Sequence, residues 1–132
     1  MLETAKETTM KTNCHLMVAE KDDYLREKTS GVLSRMDGIS MVSQITDIAK
    51  MENASVRLAP TLLLIDLKMA VNNKTLLEKI KQKFPEMKIF AMNGHYGRHL
   101  DVEGLFAADG YLRKTNIVND IRELLADKSP VA

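Results

Sequence analysis

An α/β domain built on five parallel strands is what this sequence predicts, and three observations carry the prediction. Short continuous apolar runs recur along the chain. Segments of helical periodicity fill the gaps between them. The chain also has one-domain size and ordinary globular content, with 132 residues of which 45% are hydrophobic and 28% charged, so it can bury a core without staples.

Four of the runs are Leu16-Met17-Val18-Ala19, Leu62-Leu63-Leu64-Ile65, Ile89-Phe90-Ala91-Met92 and Tyr111-Leu112. Unbroken apolar runs of this length, bounded by polar or turn residues, read as strands buried on both faces. A fifth segment, Ile39-Ser40-Met41-Val42-Ser43, alternates only in part and suits an edge strand.

Helical stripes separate these strands. Leu25, Val32, Leu33 and Met36 share one face, with Asp37-Gly38 as the stop. Ile45, Ile48, Ala49, Val56 and Ala59 make a second stripe with Thr46 or Asp47 as its cap. Leu76, Leu77, Ile80 and Phe84 make a third, closed by Pro85, and Ile117, Ile121, Leu124 and Leu125 make the last. Between Gly97 and Gly104 the pattern is poor, so a helix there is short or loose.

Strand and helix thus alternate five times, which forces parallel strands joined by right-handed crossovers with helices on both faces. For five strands the flavodoxin-like order 2-1-3-4-5 follows, with the ligand crevice at the carboxyl ends of strands one and three. Strand one ends in Glu20-Lys21-Asp22-Asp23 and strand three in Asp66. Residues 1–13, polar and without period, read as a flexible arm, 14–126 as the domain and 127–132 as a tail.

Bulk charge removes several function classes. The net charge is +1, without the basic excess of a nucleic-acid binder. Lys74, Lys79, Lys81 and Lys83 form a local basic face that reads as a solvated helix surface. Cys14 is the only cysteine, which suits a reducing compartment, and no adjacent base or helix start activates it. The first 13 residues lack an apolar signal segment and no run is long enough to span a bilayer. A soluble cytoplasmic protein without direct nucleic-acid or membrane partners is expected.

His95 and His99, four apart between Gly94 and Gly97, read as solvated loop histidines rather than metal ligands. Met17, Met41 and Met92 lie in strand runs and read as core filling. A nucleotide enzyme of this fold would want a Gly-rich loop after strand one, and Glu20-Lys21-Asp22-Asp23 is its opposite in charge.

From Leu16 to about Leu125, over four fifths of the chain, the sequence resembles the receiver domain of two-component response regulators, particularly those preceding helix-turn-helix output domains. The residues carrying this are V-A-E-K-D-D-Y-L-R-E at Val18–Glu27, L-L-L-I-D at Leu62–Asp66 and A-D-G-Y-L-R-K at Ala108–Lys114. The resemblance implies that Asp66 stands where such domains accept a phosphoryl group from a histidine kinase. It places Glu20 and Lys21 on the acidic pair that helps to hold Mg²⁺, and Asn93 on the Ser or Thr that contacts the phosphoryl group. Lys114 falls on the lysine that neutralises the acceptor and Tyr111 on the switch aromatic.

Asp66, Lys114 and Tyr111 fit the family pattern, while Lys21 and Asn93 depart from it. Thr115 also replaces the proline common after the lysine, and two loops are one residue short. A family pocket of three aspartates and one lysine carries about −2, which a divalent cation offsets. Glu20 and Asp66 against Lys21 and Lys114 sum to zero. An ammonium offers no lone pair to a metal, so Lys21 is expected to pair with Asp66 in the metal's place, unless Asp22 swings in as the missing carboxylate.

The expected function is therefore a receiver-like signalling domain acting mainly as a protein–protein interaction module, not an enzyme, with Mg-dependent phosphorylation at Asp66 weak or absent. The alternative is a phosphorylatable regulator with an unusual pocket. No cofactor is expected, Mg²⁺ entering only if the pocket proves functional. The resemblance names a histidine kinase or an effector as partner. It also implies docking or homodimerisation through the fourth helix, fifth strand and fifth helix, at His99, Leu100, Tyr111, Arg113 and the exposed side of 116–126. If the chain ends at Ala132, output passes through a partner or self-association; if it continues, 127–132 leads into an effector domain.

Overall fold

The computed structural model describes residues 14–53, 59–94, 105 and 107–126. Its five strands are β1 (Cys14–Ala19), β2 (Ile39–Ile45), β3 (Leu62–Asp66), β4 (Lys88–Asn93) and β5 (Gly110–Arg113), in the order β2-β1-β3-β4-β5 and all parallel. Both the element type and the strand order agree with the sequence reading.

Period-two alternation sorts the strand side chains into two cores. Leu16, Val18, Leu62, Leu64, Met92 and Leu112 face one cluster, beneath helices α1 (Asp23–Leu33) and α4 (Ile117–Ala126). Ala19, Leu63, Ile65, Ile89 and Ala91 face the other, beneath α2 (Leu67–Asn72), α3 (Lys74–Lys83) and a 3-10 helix at Ile48–Asn53. Such double coverage is why β1, β3 and β4 read as continuous apolar runs.

At the edges the pattern changes for identifiable reasons. In β2 the pairing slips by one residue, Cys14 lying against Ile39 but His15 against Met41, so Ser40 is left over. The slip lets Ile39 and Val42 face the same core three residues apart, which is why the segment alternates only in part. The β5 run does not fit burial on both faces: Leu112 is buried, but Tyr111 is 49% exposed on the other side of this edge strand.

Helix starts and stops follow side-chain chemistry. Asp22 caps α1, its Oδ1 accepting from the Leu25 backbone N–H at 2.9 Å. Gly38, at φ 93°, makes the turn into β2 that the Asp37-Gly38 pair signals. Leu25, expected on the buried stripe, is exposed because it lies in the first turn, beside the crevice rather than over the sheet. The second stripe becomes a 3-10 helix, whose three residues per turn bury Ile48 and Met51 and turn Ala49 outward. Asp47 serves it as expected, accepting from the Ala49 N–H at 3.0 Å, while Val56 lies outside the described residues. The α3 helix stops at Lys83, before Pro85.

Two lysines of the local basic face are used internally. Lys81 donates to Asp109 and to the Met87 carbonyl, and Lys83 to the Glu52 carbonyl. Among the described residues no helix is long and apolar enough to cross a membrane.

Candidate functional site

Strand register explains why three distant residues meet. Ala19 lies level with Ile65, so Glu20, the next residue, comes level with Asp66, and Asp66 lies level with Met92. Glu20 continues the row of Leu16 and Val18, Asp66 that of Leu62 and Leu64, and Lys114 that of Leu112. All three therefore sit at the rim of the face covered by α1 and α4.

Lys114 stands two residues beyond the level of Asp66 and comes back to it across the end of β4, where Gly94 leaves room. A methyl group at position 94 would lie 2.9 Å from Cδ of Lys114. Beyond that crossing the Lys114 ammonium donates to Asp66 Oδ1 at 2.6 Å and to Glu20 Oε1 at 2.7 Å. Burial alone would lower the pKa of this ammonium, yet its hydrogen bonds to Asp66 and Glu20, with their charges, raise it above the ordinary lysine value. The group is a firmly charged cation between two carboxylates.

The second oxygens are engaged as well. Glu20 Oε2 accepts from the Asp22 N–H at 3.2 Å, and Asp66 Oδ2 caps α2 by accepting from the Met69 N–H at 3.0 Å. The α2 helix follows Asp66 without an intervening loop and breaks at Asn73, whose side-chain amide donates to the Met69 carbonyl. It went unread in the sequence because six residues are too few to show a period. A signal was nevertheless there: an Asp cap followed by Leu67, Ala70 and Val71 at helical spacing.

Two expectations about the pocket change accordingly. Lys21 does not pair with Asp66: its side chain is exposed and makes no ion pair among the described residues, and Lys114 takes the position instead. Alternation accounts for this, since consecutive residues at a strand end point to opposite sides. Asp22, the other candidate carboxylate, is engaged as the cap of α1.

A divalent cation of the magnesium type needs several oxygen ligands in fixed geometry. Here Glu20 and Asp66 are both held by Lys114, and Asp22 and Asp47 serve as helix caps. Among the described residues no group of three or more His, Cys, Asp or Glu is arranged to hold a metal ion.

Two hollows flank Asp66. One, of about 1000 Å³, opens over β2, β1 and β3 and is lined by Glu20, Lys21, Asp22, Asp47, Asp66 and Lys68 among others. The other, of about 530 Å³, opens over β3, β4 and β5 and includes Leu25, Lys28, Lys68, Asn93, Lys114 and Thr115. Asn93 is thus beside Asp66 and Lys114, as its alignment implied. Tyr111 lies on the outer edge, away from both linings. His95, His99 and Leu100 fall outside the described residues.

The A-D-G-Y-L-R-K block has structural reasons for its specificity. Asp109 Oδ2 accepts from the Ile89 N–H at 2.8 Å and from Lys81 at 2.9 Å, fastening β5 to the start of β4. Gly110 lies under the Phe90 ring, where a methyl group would come within 2.6 Å of it. Arg113 is held by Asp120, whose Oδ1 and Oδ2 accept from its guanidinium at 2.7 and 3.3 Å. These contacts with Arg113 depress the Asp120 pKa to about 2.

No family model and no curated relative matches this sequence. Solved structures do. The receiver domain of RcsB from Salmonella enterica serovar Typhimurium, in the apo form, is 21% identical, with TM-score 0.67 over 86% of each chain. A LuxR-family two-component response regulator from Aurantimonas sp. SI85-9A1 is 18% identical, with TM-score 0.67 over 86% of each chain. The receiver domain of the histidine kinase CKI1 from Arabidopsis thaliana, complexed with Mg²⁺ and BeF₃⁻, is 16% identical. Its TM-score is 0.65, over 93% of this chain and 96% of that one. Strand order, helix placement and these likenesses agree that the chain has the response-regulator receiver fold.

Proposed function

We propose that this chain is a signalling module of the receiver type that works by binding another protein, is not an enzyme, and carries out little or no Mg-dependent phosphoryl transfer at Asp66. One observation carries the proposal: Lys21, not an acid, takes the sequence position that the resemblance gives to a second metal-binding acid, while the Lys114 ammonium, 2.6 Å from Asp66 and 2.7 Å from Glu20, already neutralises the carboxylates present. Phosphoryl transfer relies on positioning and on cations neutralising the transferred oxygens. With Asp66 Oδ2 turned to the helix cap and Oδ1 to Lys114, the carboxylate is poorly placed as a nucleophile.

Partner binding in this reading uses the β5–α4 side, where Tyr111 is 49% exposed and the Arg113 side chain 67% exposed. Aromatic and Arg side chains are the usual anchors of protein interfaces. A histidine kinase, an effector protein or a second copy of the chain is the partner class.

Titration with Mg²⁺ and beryllofluoride, followed through backbone amide shifts near Asp66 and Tyr111, tests the proposal. No response is expected below roughly millimolar Mg²⁺. Saturable shifts that vanish in Asp66→Ala would establish the alternative, a phosphorylatable regulator. That alternative draws support from Asp66 itself, which lines both hollows and keeps its side chain 21% exposed.

A further inference from the structure

We infer that the hollow over β3, β4 and β5 is a binding site for a small phosphomonoester, held noncovalently by Lys28 and Lys68. This deepens the reading above, since it rests on Asp66 being a structural carboxylate and not a phosphoryl acceptor. Charge carries the argument. Lys28, Lys68 and Lys114 line the hollow against Asp66, and with Glu20, which also holds Lys114, the formal excess is one positive charge. Both oxygens of that carboxylate are already engaged, by Lys114 and by the Met69 N–H.

Lys28 and Lys68 remain. Both are exposed and make no ion pair among the described residues; Lys28 only lies over the Tyr24 ring, 5.7 Å from its centroid. The neighbouring hollow has the opposite sign, with Glu20, Asp22, Asp47 and Asp66 against Lys21 and Lys68. An anion arriving at the crevice is therefore directed to the β5 side.

Shape selects the ligand further. About 530 Å³ exceeds what a bare phosphate needs, and Leu25 and Met92 offer an apolar wall for an organic body. Lysine ammoniums bind phosphate as point charges, without the planar matching that favours arginine for carboxylates. The Thr115 hydroxyl adds a neutral donor beside them. A phosphomonoester dianion meets all three conditions.

The test uses inorganic phosphate, phenyl phosphate and acetate as probes on the whole chain, in metal-free buffer with a chelator. Amide shifts at Leu67, Gly94 and Thr115 provide the readout. Saturable binding is expected, in the order phenyl phosphate, phosphate, acetate, weakening with added salt. Lys28→Gln and Lys68→Gln, both on exposed side chains, should each weaken phosphate binding about tenfold. Asp66→Asn, which keeps a competent helix cap, should leave binding intact or tighter.

The inference fails if no saturable shift appears at roughly 50 mM phosphate, well above the millimolar affinity that exposed lysines support. It also fails if acetate binds as well as phosphate, or if the two lysine variants bind like the parent. Phosphate binding that needs Mg²⁺ and disappears in Asp66→Asn would overturn the function proposed above as well. Failure in metal-free buffer alone leaves that function standing.

Discussion

The hollow over β2, β1 and β3 and the hollow over β3, β4 and β5 share Asp66 and Lys68, yet they carry opposite charge. The first gathers Asp22, Asp47 and Asp66, one from the end of each of three strands and each acting as a helix cap. The second gathers lysines from α1, α2 and the segment after β5. Lys114 is the boundary between them, because its ammonium ties the acidic rim at Glu20 to the basic side. Polarity of this kind arises when cap residues, chosen for local helix chemistry, accumulate on one side of a strand-reversal point.

Removing the boundary should have the largest effect. Lys114→Ala leaves buried Glu20 and partly buried Asp66 facing each other without a cation, and should cost about 3 kcal/mol, read from the urea midpoint. A loss under about 0.5 kcal/mol would mean the two hollows are energetically independent.

Next comes Gly94→Ala, which places a methyl group 2.9 Å from the Lys114 stem and should cost about 1–2 kcal/mol. Its second signature is in the alkaline limb. A lysine whose folded pKa is raised contributes stability below its unfolded value of 10.5 and loses it as pH climbs through the raised one. The parent should therefore lose stability above pH 10.5 more steeply than Gly94→Ala does.

Asp120→Asn lies outside the lining of both hollows and sharpens the comparison as a control, with an expected cost of about 1 kcal/mol at neutral pH. Asp120 titrates at about 2 in the fold against an ordinary 3.8. Its contribution is present above pH 3.8 and lost as pH falls toward 2, so the variant should lack that part of the acid limb. Last in stability, within about 0.5 kcal/mol of the parent, is Lys21→Asp on an exposed position. Its effect is on charge: calorimetry should detect tighter Mg²⁺ binding in the acidic hollow than in the parent.

Sequence pattern made the strands, their order and the placement of Asp66, Glu20 and Lys114 legible, because apolar runs end where the sheet ends and charges begin. Lys21 was misread for a geometric reason. The resemblance puts Lys21 beside Glu20 in the pocket, whereas alternation at a strand end turns the two neighbours to opposite sides. The α2 helix was hidden by its length and by the helical stripe that follows Asn73. The run Tyr111-Leu112 reads as buried on both faces because two residues cannot tell an edge strand from an inner one, although the resemblance puts Tyr111 on a docking surface. Lys28 and Lys68 escaped notice because they belong to no motif, and only the fold brings them together across Asp66.

The leftover residue at Ser40 has a consequence for self-association. An edge strand with an unbroken rhythm of N–H and C=O groups is a template on which another chain can be added. In β2 that rhythm is interrupted one residue after the strand begins, so a straight visitor would match the rim on one side of the slip and miss it on the other. Growth of the sheet from molecule to molecule is discouraged there by backbone geometry alone.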